Sequence, residues 1–223
     1  EFFADPGFKI NGSLIWDFGN LTTNLRDGMF GGIIIGPRGS VYRDPDTGKD
    51  ISLGNSWKAD VIIDKSYPEN EKLENYRDFA LYFQDEDNII GTSFMPYLQN
   101  VAGLTGVNYR LEPWLYREDE GCELGNMFTA CVAAGADPAT PTLKAHAGDR
   151  VMINIFGAHN EQNQMFNLDG HQWRRHMDQE GSDMIDVEQF GAGEYIQAFF
   201  NAGGTYKNPG TYLWLNARTP YQQ

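Results

Sequence analysis

Residues 148–173 read GDRVMINIFGAHNEQNQMFNLDGHQW, and their pattern decides the fold. Gly148 opens a turn through Asp149 and Arg150. Beyond it Val151, Ile153 and Ile155 alternate with Met152, Asn154 and Phe156, the two-residue period of a strand buried on at least one face. A polar loop around Ala158 to Gln162 follows, and Met165, Phe166 and Leu168 then make a second short strand that ends at Gly170. Two such strands around an exposed turn are the building unit of a β-sandwich.

The rest of the chain fits that unit. Of 223 residues, 41% are hydrophobic and 13% aromatic, enough for one large or two small cores. The 25 Gly and 10 Pro are scattered, which suits many short strands and turns, and no long helical period competes. Seventeen Lys and Arg against 31 Asp and Glu leave a formal charge of −14, which argues against nucleic acid and anionic membranes as partners. No run approaches the roughly 18 apolar residues of a membrane helix. The opening, EFFADPGF, has neither an initiating Met nor the pattern of a signal peptide, so a processed or partial chain is expected.

Residues 1–6 read as the end of a strand, Ser13 to Phe18 as another, and Met29 to Ile35 as an apolar run closed by the turn Gly36-Pro37-Arg38-Gly39. A polar link, YRDPDTGKDISL from Tyr42 to Leu53, precedes a short strand from Ala59 to Asp64, and the charged stretch from Lys65 to Glu74 is expected to be exposed. A domain boundary is placed there, giving units of residues 1–66 and 67–223. Within the second, Asp78 to Asp85 and Glu194 to Phe200 read as strands, whereas residues 91–106 read as loop. Cys122 and Cys131 stand nine apart beside Gly121, Gly125 and Gly135, and either a disulfide in an oxidising compartment or two thiols fits that spacing.

The Gly-Asp-Arg-Val strand, with Gly170, His171 and Trp173 closing the second strand, resembles the cupredoxin domains of multicopper oxidases. That family carries His-x-x-His-x-His-Gly-His-x-aromatic there, and its first three histidines hold copper; this chain has Gln164, Asn167 and Asp169 at those positions. Trp16 and Asp27-Gly28-Met29-Phe30-Gly31 likewise stand in register with the family's Trp-Tyr-His-Ser-His and Asp-Gly-Leu-x-Gly segments, but Phe18 and Asn20 occupy the histidine positions. Asp78 to Asp85, Val107 to Trp114 and Pro209 to Trp214 match further family segments. After Pro209-Gly210-Thr211-Tyr212, the family's His-Cys-His and later His fall on Asn216, Ala217, Arg218 and Gln222. A blue-copper centre needs a thiolate, and alanine has none.

The resemblance implies an all-β protein of cupredoxin-like Greek-key β-sandwiches: the closing part of one domain with a linker in residues 1–66, and in 67–223 a second domain lacking its last strand. It is similar to the interior of a large, multi-domain oxidase of the bacterial manganese-oxidising type. Such an oxidase takes electrons from Mn(II), Fe(II) or phenols and reduces dioxygen to water. With every alignable ligand replaced, no catalytic or metal residue is assigned here. The segment is expected to be a copper-free scaffold, outside the cytoplasm, with copper elsewhere in the parent and further cupredoxin domains of the same or another chain as partners. The alternative from another class is a structural or interaction component of an extracellular or cell-surface assembly.

Four histidines are too few for a multicopper centre, and His171 with His176, five apart after a turn, read as structural or solvent-facing. Acidic runs at Asp44, Asp46 and Asp50, at Asp85 to Asp87, at Glu118 to Glu120, and at Asp178, Glu180 and Asp183 lack a calcium-loop spacing, so they read as solvated surface that attracts divalent metal ions at most. No phosphate-loop, Gly-x-Ser-x-Gly or His-Glu-x-x-His motif occurs. Tyr82, Phe83, Trp114 and Trp214 read as core, not as stacking platforms.

Overall fold

A computed structural model describes residues 10–20, 23–26, 28–51, 56–86, 104–108, 114–159 and 163–217. The strand expected at residues 1–6, residues 91–103 of the loop expected at 91–106, and Asp27, Asp87, Arg218 and Gln222 lie outside them. Residues 104–106 of that expected loop are strand instead, because they pair with the end of the long strand that begins at Tyr76. Among the described residues the α-helices are two short ones, α1 (Thr23–Arg26) and α2 (Trp114–Asp119), and the fold is otherwise built of strands.

The main sheet grows around β5 (Tyr76–Glu86) and β7 (Arg150–Gly157), which pair in parallel from Arg77 opposite Val151 to Phe83 opposite Gly157. β12 (Tyr195–Asn201) adds antiparallel to β7. On the other edge of β5, β4 (Lys58–Ile62) pairs with its first half and β6 (Leu104–Val107) with its second, while β3 (Val41–Arg43) pairs with β4. A smaller sheet has β8 (Gln164–Leu168) between β11 (Val187–Phe190) and β13 (Trp214–Asn216), and β9 (Trp173–Arg174) with β10 (Met184–Ile185) forms a short ribbon.

Alternation along these strands makes the core. Phe79, Leu81 and Phe83 of β5, Val151, Ile153 and Ile155 of β7, and Ala198 and Phe200 of β12 meet Phe166, Leu168, Phe190 and Trp173, all buried. Each such Val, Leu, Ile or Phe side chain gains about 1.5–3 kcal/mol on leaving water. β7 is buried on both faces, because a third layer covers the back of the main sheet: the hairpin of β1 (Asn11–Trp16) and β2 (Phe30–Ile35). β3 and β4, which precede residue 66, share a sheet with β5.

Glycines let the hairpin come close. A Cβ at Gly12 would lie 2.6 Å from ring atoms of Tyr195, and one at Gly32 would lie 2.5 Å from the Tyr82 hydroxyl. Beneath it, Tyr82 stacks on Phe156 at 4.7 Å, and Phe30 of the hairpin reaches Tyr82 at 5.5 Å. Beside these rings lies a buried polar network. Asn154 Nδ2 donates to Asp78 Oδ1 at 2.5 Å and to the Phe79 carbonyl at 3.3 Å, while its Oδ1 accepts from the Tyr195 hydroxyl at 2.5 Å and from Gln197 Nε2 at 3.4 Å. Asp78 is 5% exposed and faces a cleft of about 240 Å³ that Gly32, Ile34 and Tyr42 also line. Burial pushes its carboxyl up to about 7, against the weaker pull of the Asn154 and Phe79 hydrogen bonds. Burial, and then the nearby Asp78, also raise the hydroxyls of Tyr42, Tyr76 and Tyr195.

Cys122 and Cys131 are joined by a disulfide. It closes the segment that follows α2, which a bridge between Cys131 and Ala136 also ties down.

Replacing Gly12 and Gly32 together by valine overpacks the hairpin contact by about 1–3 kcal/mol, or roughly 5- to 150-fold in docking. Amide exchange in β1 then accelerates while β7 stays protected; unchanged exchange in β1 would contradict the docking described. A second expectation concerns pH. The folded Asp78 carboxyl keeps its proton to about 7 and the unfolded one only to its ordinary 3.8, so the native state binds the extra proton between those values. The stability contributed by Asp78 is therefore complete below that window, falls as pH rises through it and levels off above it. Asp78→Asn keeps the acceptor for Asn154 and removes this slope, as urea unfolding between about pH 4 and 8 would show; parallel curves for both proteins would contradict it.

Candidate metal centre

β8 and β13 bring together Gln164 and Asn216, two of the residues that the sequence resemblance aligns with copper ligands. Asn216 Nδ2 donates to Gln164 Oε1, and Asn216 Oδ1 accepts the Met165 amide at 3.1 Å. The Ala217 amide continues the ladder by donating to the Met165 carbonyl at 2.8 Å. Gln164 is fully buried, held in place by the alternation of β8, whose Phe166 and Leu168 point into the same core. Asn167, on the other face of β8, donates to the Asp186 carbonyl at 3.1 Å, and Asp169 is exposed beyond the strand end. Beside them on β11, burial raises the carboxyl of half-buried Glu188, partly offset by Trp173 Nε1 donating at 3.5 Å and by Arg175.

Phe18 and Asn20 lie elsewhere, in the loop that follows β1. Asp17 organises that loop: its Oδ1 accepts the Gly19 amide at 2.8 Å and its Oδ2 accepts Asn24 Nδ2 at 2.9 Å. The turn leaves Phe18 67% exposed, with its ring edge-on to Trp16 at 5.3 Å. The Asn20 carbonyl accepts the Asn24 amide at 3.0 Å, which starts α1.

This donor set does not fit copper. Copper centres of multicopper oxidases are built from imidazole and thiolate, whereas the described positions offer side-chain amides, one exposed carboxylate at Asp169, a phenyl ring and a methyl group. His171 is committed to the fold. Its Nε2 accepts the Gly203 amide at 3.0 Å, so that nitrogen carries no proton, and Nδ1–H donates to the Asp169 carbonyl at 2.9 Å. Phe200 and Tyr212 pack edge-on against the ring. His176 and His146 are exposed, and His159 is buried edge-on to Phe190. Among the described residues no group of three or more His, Cys, Asp or Glu comes together to hold a metal ion.

The acidic runs are solvated as far as they are described. Asp44 Oδ1 accepts the Asp46 and Thr47 amides, which holds its carboxyl below the ordinary range; Asp46 pairs with Lys58 at 2.5 Å and Asp50 with Arg43 at 3.0 Å. Glu118, Asp119, Glu120, Asp178, Glu180 and Asp183 are exposed. Of the aromatic residues, Phe83 is fully buried and Trp214 packs against it at 6.2 Å, as core residues do.

Two features escaped the sequence. The Gln164–Asn216 pair joins residues 52 apart, and only the register of β8 with β13 reveals it. The Asp78–Asn154 network left a faint trace, since each is a polar residue inside an otherwise apolar strand.

No family model matches the chain, and no curated protein matches it by sequence. Solved structures do resemble it. The blue copper oxidase from Nitrosomonas europaea superposes over 98% of this chain with a TM-score of 0.55 and 14% identity, and a multicopper oxidase superposes over 96% with a TM-score of 0.50 and 11% identity. The chain spans about half the length of each, 52% and 53%. It has the cupredoxin fold that multicopper oxidases are built from.

Proposed function

We propose that this chain is a copper-free, cupredoxin-like scaffold within a larger multicopper-oxidase-type protein that works outside the cytoplasm. The observation that carries the reading is the Gln164–Asn216 hydrogen bond. It fills two positions that the family gives to copper with amides that satisfy each other, so the sheet closes without a metal. The parent protein oxidises metal ions such as Mn(II) or Fe(II), or phenols, and reduces dioxygen to water at copper sites beyond these residues. No step of that reaction runs through this segment, which positions its neighbours. The β1–β2 hairpin belongs to an adjoining cupredoxin-like domain, and its docking on the main sheet is the joint between the two. The Cys122–Cys131 disulfide supports an oxidising compartment.

The native polypeptide tests this. Gln164→Ala and Asn216→Ala are expected to lower its melting temperature while leaving copper content and the rate of Mn(II), Fe(II) or phenol oxidation per folded molecule within about twofold, since neither residue touches a metal. Loss of stoichiometric copper from either variant would contradict the reading.

A further inference from the structure

The loop closed by Cys122 and Cys131, with the residue that follows it, displays apolar side chains for which the fold has no use. Leu124 is 77% exposed, Phe128 50% and Val132 93%, within nine residues of one another. The loop that carries them is firmly held. The disulfide closes it, Met127 is buried beneath it, and Cys131 and Ala136 exchange backbone hydrogen bonds of 2.8 and 2.7 Å. Arg117, only 1% exposed, sends Nη2 to the Thr129 carbonyl at 2.8 Å and the Ala136 carbonyl at 2.7 Å. Its charge is thus spent on holding the loop. Large apolar groups kept in water on a preorganised frame carry little ordering cost on binding, which is what a docking surface requires.

The exposed charge nearest them along the chain is of one sign. Glu118, Asp119, Glu120 and Glu123 are exposed beside the loop, and from residue 118 to 143 the sequence contains no Lys, Arg or His. We propose that Leu124, Phe128 and Val132 dock into an apolar pocket of a partner protein whose rim carries lysine and arginine. A second copy of this chain is disfavoured by its own acidic surface, with a formal net charge of −14, and an anionic lipid surface by the same carboxylates.

A labelled helical peptide of leucine and lysine, with leucine on one face, serves as probe for fluorescence anisotropy, beside the same pattern with glutamate for lysine. The basic peptide is expected to bind about tenfold or more tighter than the acidic one, and L124S/F128S/V132S to weaken it about tenfold. Val132→Asp alone, at the most exposed position, is expected to act in the same direction, and D178N/E180Q/D183N, in a separate acidic run, to change binding less than about twofold. Absence of binding by the basic peptide, equal binding by the triple variant, or an equal loss in the separate acidic run would overturn the proposal. So would a loop-dependent dimer at rising protein concentration, or loop-dependent binding to phosphatidylcholine vesicles.

Discussion

Everything in this structure hangs on the parallel pairing of Tyr76–Glu86 with Arg150–Gly157. Because both faces of β7 are buried, the pair must be covered twice, once by the sheet of β8, β11 and β13 and once by the β1–β2 hairpin. The apolar face, with Phe79, Leu81, Ile153 and Ile155, does the first job by burial alone. The opposite face has a more demanding solution, in which Asp78, Asn154 and Tyr195 satisfy one another beneath glycines that allow backbone to approach ring. A buried polar network of this kind is stabilising only when complete, so it ties the hairpin to one register.

The same logic governs the ligand positions. A copper ion would join residues from neighbouring strands through strong, directional bonds. Gln164 and Asn216 join the same strands through a weaker amide bond that needs no cofactor and leaves no buried polar group unmatched. His171 serves the same purpose by accepting the Gly203 amide.

Much of this was legible in the residues. The alternation at 151–156 made β7 plain, and the Gly-Pro-rich turn after Ile35 marked the end of β2. The all-β sandwich followed from such local patterns together with the family frame. Burial of β7 on its second face was not legible, because Met152, Asn154 and Phe156 read equally well as a half-exposed face until a third layer is known to cover them. The sharing of one sheet by β3, β4 and β5 across residue 66 was hidden for a related reason: the polar, charged stretch from Lys65 to Glu74 looks like a linker, whereas it is the turn of an antiparallel pair. Of the two readings open for Cys122 and Cys131, geometry selected the bonded one.

The claim at the centre is that amides, not metal, close the small sheet. A double-mutant cycle on Gln164→Ala and Asn216→Ala, read as unfolding free energy, measures that cross-link by itself. The account predicts a favourable coupling of about 1 kcal/mol, as for a buried neutral hydrogen bond whose loss strands its partner. Strict additivity of the two substitutions would contradict it.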